Sequence, residues 1–408
     1  MTGSSLISRA TRRGCLISAA VLAVAACGAG GGAGLSTGST AAATNRDCAL
    51  VSRMPLPGPS HPTIVLVVDN TSSGPVSTLP SSAAAALKRA QAAQAQLVIL
   101  GVNGAAANPL LVADVALDPD PGRTSREADA ARAIALACVP QWITSKPAMP
   151  TRPGSDILGA VNAAVRRAPA QIIVMSDGLD NADPLDLNKI GYGSDPRSVV
   201  ASLSATHAID HVSSSTPVLW ADLGVTVKPL PGAVRAALKL TWAAILRNAG
   251  TSVTFAPDET QAGTPRPSAP ADVVRLPAIS TASSGCYTTV TVPTDLLFQP
   301  GDAHLQAGTG LLDRVRDEML SQPRSTAVIG GHTAAYGSAA YRQNLSVARA
   351  QAVARALEAG GISKSRLYIV GYGSTRPAVN EFPGGRHDLA AAAANRRVII
   401  AITQGGCA

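Results

Sequence analysis

Short, uninterrupted apolar runs at residues 63–68, 97–100, 172–175 and 218–221 alternate along the chain with helical stretches at 82–95, 125–138, 157–167 and 233–247. Runs without polar alternation mark strands buried on both faces, and residues 252–255 supply one more strand. Strand and helix in alternation predict an α/β unit, a doubly wound parallel sheet with helices on each side. In such sheets ligands bind beyond the carboxyl ends of the strands.

The pattern changes after residue 258. A Pro/Thr/Ala-rich stretch at 259–284 reads as a linker, so the chain divides into a unit at 48–258 and a second at 285–408. Within the second, residues 343–357 predict a helix. At about 100° per residue, Leu345, Ala348, Ala352 and Ala356 form one apolar face, widened by Val353 and Leu357. Arg349 lies about 40° from Leu345 on that face. An arginine there stays charged and is rarely buried unpaired, so it needs a carboxylate or a ligand. Residues 398–402 are again apolar and follow Asn395, Arg396 and Arg397, charges that also suit the solvated start of a strand.

The N-terminus predicts export. Arg9, Arg12 and Arg13 precede an apolar run at 15–26 too short to span a bilayer, and the run ends in Val24-Ala25-Ala26-Cys27. That ending resembles a bacterial lipobox, which implies removal of residues 1–26 and lipidation of Cys27. Residues 27–47, rich in Gly, Ala, Ser and Thr, read as a flexible tether. Cys48, Cys138, Cys286 and Cys407 remain, and four cysteines allow three pairings. Cys48 and Cys138 fall in one unit and Cys286 and Cys407 frame the other, so the expected bridges are 48 with 138 and 286 with 407.

Charge narrows the function. The chain has 34 basic and 26 acidic residues, formally +8; cleavage before Cys27 removes three arginines and leaves +5. Export and the lack of a basic, aromatic-laced patch disfavour nucleic acid. A Gly-x-Ser-x-Gly nucleophile turn and paired metal-binding histidines on a helix are both missing, so an enzyme is not expected.

Gly330-Gly331-His332-Thr333, the stretch Asn344 through Ala350 and Asn395-Arg396-Arg397-Val398 together resemble the OmpA-like peptidoglycan-binding domain, an α+β fold. The resemblance implies that Arg349 grips a carboxylate of diaminopimelate in the peptidoglycan stem peptide, with Thr333, Ala334, Arg342, Leu345 and Arg397 around it. The family's aspartate, which receives the ammonium group of that side chain, corresponds to Ala334. Losing one charge-assisted hydrogen bond costs about 1.5–3 kcal/mol, roughly ten- to a hundredfold in affinity.

In the first unit, Asp69-Asn70-Thr71-Ser72-Ser73, Ser155 and Ser176-Asp177-Gly178 resemble the von Willebrand factor type A domain and its metal-ion-dependent adhesion site. The resemblance implies Mg²⁺ or another divalent cation held by Asp69, Thr71, Ser73, Ser155 and Asp177, with a protein partner completing the site. The competing reading has these side chains only satisfying backbone groups in a turn. Joined together, the expectations describe a protein lipid-anchored on the outer leaflet of an actinobacterial plasma membrane, or on a Gram-negative outer membrane, that ties membrane to wall. The alternative is an adhesion or assembly scaffold whose C-terminal domain has lost wall binding through Ala334.

Overall fold

Burial on both faces makes the apolar runs into strands. The computed structural model describes residues 43–105, 108–212, 215–257, 262–264, 273–306 and 310–406, so the expected signal peptide, Cys27 and most of the expected tether lie outside the described residues. In the N-terminal unit β1 (Thr63–Val68), β2 (Gln96–Gly101), β3 (Leu110–Ala116), β4 (Gln171–Met175), β5 (Pro217–Ala221) and β6 (Ser252–Phe255) form one sheet in the order β3-β2-β1-β4-β5-β6. Its helices are α1 (Asn45–Val51), α2 (Ser81–Ala92), α3 (Arg126–Ile143), α4 (Ile157–Val165), α5 (Leu187–Ile190), α6 (Pro196–Ala205) and α7 (Gly232–Asn248).

Successive strand residues point to opposite faces, and here each face has its own core. Val65 and Val67 share one with Val161 of α4 and Trp242 of α7. Leu66 and Val68 share the other with Leu87 of α2 and Val139 of α3. β1 pairs in parallel with β2 and β4, and β5 in parallel with β4 and β6.

The sheet is not wholly parallel as expected, because β3 runs antiparallel to β2 along the edge. Helices α5 and α6 between β4 and β5 were also not expected. At the start, α1 begins inside the residues assigned to the tether, at Asn45, and runs on into the first unit. Thr44 and Asp47 form a capping box around its first turn, and the Cys48–Cys138 disulfide bonds α1 to α3. Cys286 is disulfide-bonded, while its expected partner, Cys407, is outside the described residues.

In the C-terminal unit β7 (Ser280–Ser284), β8 (Tyr287–Pro293), β9 (Thr326–Gly331), β10 (Leu367–Gly371) and β11 (Arg397–Thr403) form a mixed sheet in the order β10-β9-β11-β8-β7. Only the β9–β10 pairing among these is parallel. β7 takes the last residues read as linker. Val292, Ile329 and Ile400 pack on one face with Met319 of α8 (Asp313–Ser321) and Val353 and Leu357 of α9 (Ala339–Ala359). A short α10 (Leu389–Asn395) precedes β11.

The two units meet along a seam. Leu389 of α10 packs against the N-terminal core, and Asn188 of α5 binds the connecting segment through Val273 O (2.7 Å) and Arg275 N (2.6 Å). Among the described residues no helix is long and apolar enough to cross a membrane.

Candidate functional site

Helix α9 buries half of the stripe its apolar residues predict and turns the other half outward. Ala352, Val353 and Leu357 are buried as expected, Leu345, Ala348 and Ala356 are half-exposed, and Ser346, Arg349, Ala350 and Ala354 complete the buried face. The shift follows from the close approach of β9: a Cβ on Gly331 would stand 2.1 Å from Ser346 O. That approach sets Thr333, just past β9, beside the middle of α9.

Thr333, Ala334, Arg342, Leu345 and Arg349 line one pocket. Its opening for the centres of water-sized groups is about 50 Å³, room for about three to five such groups. Arg397, expected among them, is elsewhere. Its guanidinium donates to Asn395 O (3.3 Å) and Arg376 O (3.1 Å), and the arginine that lines the pocket is its neighbour Arg396.

Arg349 is the deepest cation here, 4% exposed. Its Nε donates to Asp302 O (2.8 Å), one Nη to Gln299 O (3.4 Å), and the guanidinium lies 5.3 Å over the Phe298 ring. Among the described residues no carboxylate is within ion-pair reach of it. Desolvation pulls its pKa down to about 10, with Asp295 opposing the shift, so the group stays charged at neutral pH. A buried cation held only by carbonyls is costly unless an anion joins it.

Around this cation the sequence reading missed several supports. Asn395 accepts from Ala378 N and Val379 N and donates to Glu381 Oε1 (2.8 Å). Glu381 Oε2 in turn accepts from Ala335 N (2.8 Å), fixing the turn after Thr333. The only local signal was Asn395 itself. His332 is 4% exposed and stacks on Tyr372, ring centroids 4.8 Å apart. The hydroxyl of Thr333, 5% exposed, is buried with no hydrogen-bond partner among the described residues.

One wall of the pocket comes from the other unit. Ser194, Asp195 and Ser198 line it beside Arg396. Arg396 pairs with Asp295 and also donates to Ile190 O (3.3 Å), and Asp295 Oδ2 accepts from Gly193 N (2.8 Å). Gly193 is needed there, since a Cβ would meet Asp295 Oδ1 at 2.1 Å.

The five residues expected at the other site come from loops beyond β1 and β4 and before α4. Asp69 Oδ1 accepts from Thr71 N (3.0 Å) and Thr71 Oγ1 (2.7 Å), and its Oδ2 from Ser176 Oγ (2.7 Å). Thr71 Oγ1 is 3.3 Å from Ser73 Oγ and accepts from Ser155 Oγ at 3.4 Å. Asp177, next to Ser176, accepts from Leu179 N. Asp69, Thr71, Ser155 and Asp177 are buried. Two carboxylates and three hydroxyls suit a hard divalent cation that keeps part of its water, and no group of three or more His, Cys, Asp or Glu able to hold a metal occurs among the described residues. Sequence reading missed Asn181, which accepts from Ser155 N (2.7 Å), and Asp180, which accepts from Leu158 N (2.7 Å). Burial and the nearby Asp156 hold the Asp180 carboxyl well above the usual range.

The OmpA family model matches residues 297–388, which include Thr333 and Arg349. Outer membrane porin F of Pseudomonas fluorescens is 39% identical over 90 residues, covering 22% of this chain and 26% of that protein. The peptidoglycan-associated lipoprotein of Legionella pneumophila is 38% identical over 80 residues, 20% of this chain and 43% of that protein. The peptidoglycan-binding protein ArfA of Mycobacterium tuberculosis is 36% identical over 103 residues, 25% of this chain and 30% of that protein. The chain thus spans less than half the length of each of these relatives. Its C-terminal part is an OmpA-like domain.

Proposed function

We propose that this is a cell-envelope protein that binds peptidoglycan non-covalently through the pocket around Arg349, gripping a carboxylate of the diaminopimelate stem. One observation carries the reading: Arg349 is buried at the pocket with carbonyls as its hydrogen-bond partners and, among the described residues, no carboxylate within reach. A ligand carboxylate supplies the missing counter-charge in the paired geometry guanidinium favours. The names of two relatives, a peptidoglycan-associated lipoprotein and a peptidoglycan-binding protein, support the same reading.

The proposal extends to both ends of the chain. Cys27 carries acyl chains on the outer leaflet of the plasma membrane, and the N-terminal unit acts as a von Willebrand type A-like module. In that module Asp69, Thr71, Ser73, Ser155 and Asp177 hold Mg²⁺ or a similar cation that recruits a protein partner. The strand order β3-β2-β1-β4-β5-β6 and the hydroxyls gathered on Asp69 support this part. The molecule then links membrane to wall as a binding protein, with no chemical step assigned to it.

Ala334, in place of the family's aspartate, favours the competing reading, a scaffold without wall binding. A pull-down of the full chain with purified cell wall decides between them. Arg349→Ala is expected to lower retention at least tenfold, and retention equal to the wild type overturns the peptidoglycan reading.

A further inference from the structure

The pocket around Arg349 is built by both units, and its charges are divided between them. Arg342, Arg349 and Arg396 come from the C-terminal unit, and the carboxylate lining the same space, Asp195, comes from the N-terminal one. Asp195 Oδ1 caps α6, accepting from Arg197 N (3.0 Å) and Ser198 N (3.1 Å). Its Oδ2 has no hydrogen bond among the described residues. A second, independent sign of a ligand is the Thr333 hydroxyl, buried at the pocket with no partner among the described residues. The seam fixes the placement: Arg396 and Asp295 hold the Ile190-to-Gly193 turn directly ahead of Asp195.

We infer that Asp195 completes the ligand site from the N-terminal unit, receiving the ammonium group of a ligand whose carboxylate is bound by Arg349. The ligand class is that of the peptidoglycan proposal, the zwitterionic end of diaminopimelate with ammonium and carboxylate on one carbon, and the new element is the side chain that receives the ammonium. This deepens the peptidoglycan proposal and rests on it. Ala334 leaves the C-terminal unit without a carboxylate of its own at that position, and the N-terminal unit provides one across the seam. Wall binding then requires the two units to stay docked, so a partner that pulls on the N-terminal unit weakens the grip on the wall.

Calorimetric titration of the full chain tests this with two probes, a stem peptide containing diaminopimelate and the same peptide with that residue's side-chain amine acetylated. Asp195→Asn is the informative variant, because asparagine caps a helix as well as aspartate does while removing the charge. The wild type is expected to prefer the free amine by ten- to a hundredfold, and Asp195→Asn to abolish that preference while binding the acetylated peptide as the wild type does. An unchanged preference in Asp195→Asn overturns the inference, as does equal binding of both peptides by the wild type. Tighter binding by Asp195→Asn overturns it too, since the turn then only obstructs the pocket. Arg349→Ala in parallel keeps the two proposals apart: if it binds both peptides as the wild type does, the peptidoglycan reading itself has failed.

Discussion

Arg396 and Asp295 form a buried ion pair, Nε to Oδ1 3.3 Å, in which each partner also bonds the N-terminal unit, Arg396 through Ile190 O and Asp295 through Gly193 N. The pair therefore serves as the electrostatic clasp of the seam. Arg396→Ala leaves Asp295 charged and buried, a change that costs about 3–5 kcal/mol. Replacing both residues with alanine removes the stranded charge and costs less. All three tryptophans, Trp142, Trp220 and Trp242, are in the N-terminal unit, so their fluorescence reports that unit while circular dichroism reports both. In urea the two signals are expected to coincide for the wild type and to separate for Arg396→Ala. Coincident transitions in the variant would mean that the seam does not couple the units.

The strands β1, β2, β4 and β5 were legible because double-sided burial writes an apolar run, whereas β6, Ser-Val-Thr-Phe at the sheet edge, alternates exposed and half-buried residues. Edge β3 was not, since it carries Asp114, which accepts from Gln96 across the pair. The second edge, β7, is Ser-Thr-Ala-Ser-Ser and fully exposed, with nothing apolar to betray it. Helix α6 begins at Pro196 and is rich in serine and valine, which are weak helix formers. Helix α1 did have a signal, the Thr44-to-Asp47 capping box, overshadowed by the Gly/Ala/Ser composition before it. At the pocket, five residues assigned from motif order reach one space, whereas Arg396 and Arg397 exchange roles. Choosing between adjacent arginines depends on Asp295 and Ile190, partners 101 and 206 residues away, and no local pattern encodes such a pairing.

His332 predicts the acid response of the C-terminal unit. Its pKa is lowered from 6.5 to about 4, mainly by desolvation and then by the charge of Arg397, with a backbone hydrogen bond to Arg376 opposing. The folded state thus binds its proton less readily than the unfolded chain. Stability from the neutral imidazole is fully present above about pH 6.5 and is lost as pH falls toward 4. The loss is roughly 1–3 kcal/mol. His332→Gln removes the titration, so its urea midpoint, followed by circular dichroism between pH 7 and 4, should fall less than that of the wild type. Parallel curves for the two proteins would assign the acid response to other groups.

The proposed cation predicts a thermal signature in the N-terminal unit. An ion that binds only the folded state at a hundred times its Kd stabilises it by about 2.7 kcal/mol, which for a unit of this size raises the midpoint by about 5–10 °C. Asp69→Asn tests the origin of that shift. Asparagine keeps an oxygen for Thr71 and a polar atom for Ser176, so the loop is expected to fold, but the carboxylate charge that a hard cation requires is gone. Tryptophan fluorescence on heating, with Mg²⁺ and with a chelator, should show the increment in the wild type and none in Asp69→Asn. An identical increment in both proteins would place the ion elsewhere. No increment in the wild type would leave the hydroxyls around Asp69 as turn-stabilising groups, bonded to one another much as Thr71 is bonded to Asp69, and would remove the metal from the role proposed for the N-terminal unit.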